Sequence, residues 1–162
     1  MDYLWTPWRY AYMKQVTSGP QPECIFCDAL AQNRDEETLI VHRGKKSFVI
    51  LNRYPYTSGH VMIVPNHHVS ELTACDAESL SEIMQLSQRV EAAFRALYKP
   101  DGMNLGMNLG RAAGAGVAGH VHLHALPRWF GDSNFMTVTG ETRVHPEDLS
   151  VTYSRLKSTL ST

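Results

Sequence analysis

With 162 residues, 43% apolar and 19% charged, and a formal net charge of −1, the chain has the makeup of one globular domain able to bury a core. Balanced charge speaks against nucleic acid or an anionic membrane as partner, and no apolar run approaches the ~20 residues that cross a bilayer. Three cysteines, an odd count, and a start (Met1-Asp2-Tyr3-Leu4-Trp5) without signal-peptide layout point to the reducing cytoplasm rather than to a disulfide-built secreted scaffold.

Residues 1–22 are read as an aromatic arm and linker of a single domain spanning 1–162. Leu4-Trp5-Thr6-Pro7-Trp8-Arg9-Tyr10-Ala11-Tyr12 is dense in rings that water disfavours, so it is expected to pack on the body or on a second subunit. Ser18-Gly19-Pro20-Gln21-Pro22 then breaks regular structure. Cys24-Ile25-Phe26-Cys27 opens a short helix running to about Asn33. Thr38-Leu39-Ile40-Val41 and Ser47-Phe48-Val49-Ile50-Leu51 are β-rich runs around Arg43-Gly44-Lys45-Lys46, a hairpin pattern. A turn-rich loop, Asn52 to Gly59, precedes a further strand, His60-Val61-Met62-Ile63-Val64-Pro65. Asp76 is placed to cap a long helix whose Leu80, Ile83, Met84, Val90, Phe94 and Leu97 recur at helical spacing, and Lys99-Pro100-Asp101-Gly102 ends it. Residues 103–110 alternate like a strand, and Pro146 is expected to start a closing helix over 146–162 with Leu149, Tyr153, Leu156 and Leu160 on its inner face. Helices and strands segregated this way suggest an α+β domain on an antiparallel sheet.

Two stretches carry chemistry. His120-Val121-His122-Leu123-His124 has the two-residue period of a strand, which turns three imidazoles to one side. Imidazole is a nucleophile, base or metal ligand near neutral pH, although a His-rich strand is also compatible with a solvated or merely metal-affine surface. The small-residue loop Arg111-Ala112-Ala113-Gly114-Ala115-Gly116-Val117-Ala118-Gly119 runs straight into it. Such a loop lets backbone N–H groups approach an anion, or is simply flexible. A phosphate held there would lie within reach of an imidazole nucleophile, and His122, flanked on both sides, is the best placed. The second stretch is Cys24-Ile25-Phe26-Cys27, whose C-x-x-C spacing reads as half of a tetrahedral zinc site. A redox pair would need a thioredoxin-like βαβ context, which is missing.

Gly119-His120-Val121-His122-Leu123-His124-Ala125-Leu126-Pro127-Arg128 resembles the signature of the histidine-triad superfamily of nucleotide hydrolases and transferases. Leu51-Asn52-Arg53 through Ser58-Gly59-His60-Val61-Met62-Ile63-Val64-Pro65 resembles the same family's first sheet segment, and the similarity runs from about Cys24 to Trp129. Leu4-Trp5-Thr6-Pro7-Trp8-Arg9, Asn108-Leu109-Gly110 and Pro127-Arg128-Trp129-Phe130-Gly131-Asp132 further resemble a bacterial branch that includes diadenosine tetraphosphate phosphorylases. The resemblance implies a five-stranded antiparallel sheet with two main helices, assembled as a homodimer. It implies that His122 attacks the α-phosphorus and carries a covalent nucleotidyl group, that the backbone around His120 orients it, that His124 contacts the phosphate or leaving group, and that His60 stands in a second layer. Asn52 would then face the ribose and Asn108 the far end of the phosphate loop, with Gly114, Gly116 and Val117 supplying phosphate-facing backbone. In relatives with this cysteine pair the remaining zinc ligands correspond to His68, with His67 as rival, and His120.

One departure concerns the loop before the triad, where family hydrolases often carry Gln or Ser and this chain has Gly114-Ala115-Gly116-Val117. Without a side chain to position water, inorganic phosphate fits as the second nucleophile. The implied activity is therefore phosphorolysis of diadenosine tetraphosphate to ATP and ADP. The alternatives are a hydrolase of dinucleoside polyphosphates or nucleoside phosphoramidates and, from another class, a non-catalytic zinc-stabilised nucleotide-binding protein. Trp129 either bounds the nucleotide pocket or seals the strand end, and Phe26 and Phe48 are expected in the core rather than on a base.

Overall fold

The computed structural model describes residues 23–132 and 147–161. The aromatic arm of residues 1–22 and Pro146 lie outside the described residues. The elements in chain order are α1 (Ile25–Ala31), α2 (Asp35–Thr38), β1 (Ile40–Arg43), β2 (Ser47–Leu51), β3 (Val61–Pro65), α3 (Ala77–Tyr98), β4 (Gly102–Gly106), β5 (Leu123–Arg128) and α4 (Leu149–Leu160). The strands form one antiparallel sheet in the order β1-β2-β3-β5-β4. Five antiparallel strands with two main helices, α3 and α4, are the expected fold. Among the described residues no helix is long and apolar enough to cross a membrane.

Alternation along the strands splits the buried residues into two layers. Val41, Val49, Leu51, Val61, Ile63, Leu123 and Ala125 face α3 and α4, meeting Ile83, Val90, Phe94, Tyr153, Leu156 and Leu160. Ile40, Phe48, Ile50, Met62 and Val64 face the other way, against Cys24, Phe26 and Ala29 on and beside α1. A 22-residue helix and a 12-residue helix thus cover one side, while a seven-residue helix covers part of the other. The site described below lies on that thinly covered side.

Local chemistry moves several boundaries from those read in the sequence. The first strand starts at Ile40, two residues later than expected, because Asp35–Thr38 closes a helical turn and Leu39 leaves it in a left-handed conformation (φ 69). Asp76 caps α3 as expected, accepting the N–H of Ser79 at 2.7 Å. Residues 107–109 do not extend β4, which ends at Gly106. The closing helix starts at Leu149 with Asp148 at its N-cap. His120, Val121 and His122 precede β5, so of the five-residue histidine stretch only Leu123 and His124 pair within the sheet, opposite Ile63 and Met62.

Gly59 delivers the chain into His60 in the left-handed region (φ 83), and a Cβ there would stand 3.1 Å from Cγ of Pro127 on β5. Gly59→Ala is expected to cost about 1–2 kcal/mol from backbone strain alone, read as a lower urea midpoint with an unchanged slope.

Candidate functional site

His122 is 4% exposed and its tautomer is set by one contact: Nδ1 lies 2.8 Å from the carbonyl of His120. A carbonyl only accepts, so Nδ1 carries the proton and Nε2 keeps its lone pair. Burial pushes the His122 ring below the ordinary histidine range, against the pull of that carbonyl. The result is a neutral imidazole with a bare nitrogen at neutral pH.

The same donor logic orders the neighbouring rings. Nδ1 of His60 accepts the backbone N–H of Tyr56 at 3.1 Å and faces Nδ2 of Asn52 at 3.3 Å. His60 therefore carries its proton on Nε2 and donates it to Nδ1 of His124, 2.9 Å away. That leaves His124 with an N–H on Nε2, a donor rather than a base. Burial, and then the charge of His122, push His124 down to about 4. His60 is 1% exposed and stands behind His124, while His122 and His124 meet edge to face with centroids 4.8 Å apart.

His122 and His124 line a cavity of about 690 Å³, within the range of small-molecule sites. Phe26, Ala29, Leu39, Ile50 and Met62 form its apolar part, and Asn52, Arg53, Tyr54 and Tyr56 its polar rim. Gly114, Gly116 and Val117 close it beside the histidines. Gly114 ends the turn Arg111–Ala113 in the left-handed region (φ 87), a conformation that glycine adopts without steric cost. The cavity combines an apolar slot with imidazoles and the backbone of a small-residue loop, which suits a base joined to a phosphate.

His120 does not face this cavity. Its Nε2 stands 3.0 Å from the Pro65 carbonyl, so Nε2 carries the proton and Nδ1 is bare. That Nδ1 lies 3.3 Å from Sγ of Cys24 and 3.7 Å from Sγ of Cys27, and Nδ1 of His68 lies 3.4 Å from Sγ of Cys27. All four ligand atoms are within 4.8 Å of one another. Ideal tetrahedral zinc with these donors has S···N edges of about 3.6 Å, so both the donor chemistry and the spacing fit that ion. Burial, then the hydrogen bond to the Cys24 thiol, pushes the Cys27 thiol up.

Among the sequence-derived site residues, His122, His124, Asn52, Gly114, Gly116 and Val117 meet at the cavity, with His60 one layer behind. Cys24, Cys27, His68 and His120 meet at the cluster, and His67 is not part of it. Two of the expected residues lie outside the cavity lining. Trp129 does not line the cavity: its indole N–H donates to the Tyr98 carbonyl at 3.4 Å and its ring packs edge-on against Tyr98, sealing the strand end. Asn108 is also absent from the lining, since β4 ends before it. Phe26 is core, as expected, and at the same time a cavity wall 5.1 Å from the His122 ring. Tyr54, Tyr56 and Arg53 were missed. The signal available for them was Asn52, whose side chain accepts the N–H of Tyr54 and folds this loop back over the histidines.

The HIT domain family model matches residues 33–131. Over 153 residues, 91% of this chain and 78% of the relative, the sequence is 39% identical to a Mycobacterium tuberculosis protein named AP-4-A phosphorylase. A crystal structure of a Zn-bound histidine triad family protein from Mycobacterium smegmatis superposes with a TM-score of 0.69 at 28% identity, covering 85% of this chain and 93% of that one. Plasmodium falciparum diadenosine triphosphate hydrolase shares the fold, with a TM-score of 0.61 at 19% identity over 76% of this chain and 74% of that one.

Long-range nitrogen NMR is expected to show a proton on Nδ1 of His122 and on Nε2 of His60 and His124 at pH 7. Because the folded His124 binds its second proton only near pH 4 while an unfolded histidine does so near 6.5, stability is expected to fall as pH drops through that window. A pH-independent urea midpoint between 6.5 and 4 would contradict the burial of this ring.

Proposed function

The chain belongs to the HIT family, and on that premise we propose that it is a nucleotidyl-transferring enzyme cleaving diadenosine tetraphosphate by phosphorolysis. Nε2 of His122, bare because the His120 carbonyl holds the proton on Nδ1, is the observation that carries this reading. In the first step Nε2 forms a bond to the α-phosphorus while the bridging P–O bond breaks and its electron pair leaves on ATP. The leaving polyphosphate departs as an anion, so a hydrogen bond from Nε2–H of His124 suffices and no full proton transfer is needed. In the second step an oxygen of inorganic phosphate bonds to the same phosphorus, the N–P bond breaks, and ADP leaves with the imidazole lone pair restored. Adenine occupies the apolar slot against Phe26 and Ile50, Asn52 meets the ribose, and backbone of residues 114–117 receives the phosphates. The loop's lack of a polar side chain to direct water, and the name of the mycobacterial relative, support phosphate over water as second nucleophile.

This reading includes a zinc ion held by Cys24, Cys27, His68 and His120. Four protein ligands leave no open position, so the metal's contribution is structural cross-linking. It also includes a homodimer, supported by the outer edge of the sheet: Asn104, Leu105 and Gly106 of β4 are exposed, with Leu105 at 43% and nearby Leu109 at 46%. Among the described residues no strand pairs with that edge, and such an edge with apolar neighbours invites pairing with a second chain.

Incubation with diadenosine tetraphosphate is expected to yield ATP and ADP only when phosphate is present; AMP at an equal rate without phosphate would make the enzyme a hydrolase. Label from the adenylate should remain on the wild-type protein in the absence of phosphate, and His122→Ala should lose it together with at least a thousandfold of turnover. Light scattering should give about twice the 18.2 kDa of one chain, whereas a mass of one chain would remove the dimer.

A further inference from the structure

The metal cluster and the nucleotide cavity share their walls. Helix α1 begins immediately after Cys24 and contains Cys27, so both thiols sit in its first turn. The same helix supplies Ile25, Phe26, Asp28 and Ala29 to the cavity. Its ring at Phe26 spans the two sites, 5.5 Å from the His120 ring on the cluster side and 5.1 Å from the His122 ring on the cavity side. Among the described residues little else holds it. At seven residues it is far below the length at which an isolated helix is stable, and its N-cap residue makes no side-chain capping bond. Among the described residues it fully buries Phe26 and Ala29, with Cys27 and Leu30 partly buried, and one side-chain bond from the sheet, Arg43 to the Leu30 carbonyl at 2.9 Å, reaches its backbone.

The other two ligands come from the segments that hold the histidine rings in place. His120 carries the carbonyl that fixes the nucleophile's tautomer, and a Cβ on Gly119, where the small-residue loop ends, would stand 3.8 Å from Nε2 of His68. His68 is followed by Val69, whose carbonyl accepts the Val121 N–H at 2.8 Å. The four ligands therefore join a short, weakly anchored helix to the segment that carries the catalytic rings.

We propose that the Cys24/Cys27/His68/His120 cluster is a latch for nucleotide binding: a divalent zinc ion there holds α1 in place as the base-side wall of the cavity, so that affinity for an adenine mononucleotide depends on metal occupancy. The inference rests on the zinc reading above and adds to it a function, with Cys24, Cys27 and His68 acting as positioning residues for a site they do not line. The sheet and its α3/α4 layer do not depend on this latch, since the core between them contains none of the four residues. Metal loss therefore acts locally, on α1, before it acts on the fold.

The test compares purified protein as isolated, stripped with a chelator, and reloaded with one equivalent of Zn²⁺, using AMP as the probe ligand in calorimetry and hydrogen exchange as a second readout. Stripping is expected to weaken AMP binding at least tenfold and to speed exchange of the amides of residues 25–31, with β2, β3 and α3 unchanged and both effects reversed by Zn²⁺. His68→Ala, which removes an exposed ligand and leaves both cores intact, should lower zinc retention and AMP affinity together. Stripped protein that binds AMP within twofold of the loaded form, or keeps α1 protected, overturns the latch while leaving the zinc reading intact. Protein that neither contains nor takes up zinc overturns both. Unfolding of the whole chain on stripping, with His68→Ala binding AMP normally at reduced zinc content, also overturns it.

Discussion

The bond between Nδ1 of His122 and the carbonyl two residues back, 2.8 Å long and shielded from water, decides what this site can do. A free imidazole exchanges its proton between nitrogens, and every molecule with the proton on Nε2 would present an N–H to an incoming phosphorus. A backbone carbonyl cannot donate, so it removes that ambiguity without adding a titratable group. Burial completes the effect by disfavouring the imidazolium. Everything around the ring serves these two conditions, a bare Nε2 and a neutral ring.

The same device recurs with different acceptors. The Pro65 carbonyl leaves Nδ1 of His120 bare toward two thiols, and the Tyr56 N–H forces the proton of His60 outward toward His124. His120, His122 and His60 thus receive distinct protonation patterns from main-chain partners, and His60 passes its own on to His124. The hydrogen-bond partners of His120, His122 and His124 are backbone carbonyls, thiols and imidazole rather than carboxylates.

The sheet is covered unequally, and this asymmetry has a physical consequence. On the α3/α4 side, apolar residues from every layer interlock into one continuous core. On the other side, α1 covers part of the sheet and the uncovered remainder becomes the cavity. Stability comes mainly from the first side and binding from the second. The proposed cross-link of α1 through thiol and imidazole ligands would hold a wall where burial of Phe26 and Ala29 alone is small.

Much of this was legible in the chain itself, because it depends on periodicity and on residue chemistry. The β-rich runs Phe48 to Leu51 and Val61 to Val64, helical spacing from Leu80 to Leu97 and a capping Asp76 specify strands and helices through local geometry alone. The triad motif and the C-x-x-C pair likewise announce imidazole and thiol chemistry. What only the folded structure decided are relations between distant segments: His68 rather than His67 at the thiols, Trp129 turned to Tyr98 instead of the cavity, and Tyr54 and Tyr56 drawn to the rim by Asn52. The start of β5 after His122, which leaves the His120 carbonyl to the His122 ring, belongs with these. Side-chain pattern sets which face a residue prefers, whereas hydrogen-bond partners for backbone and ring nitrogens are chosen by three-dimensional proximity, and a linear pattern carries no record of it.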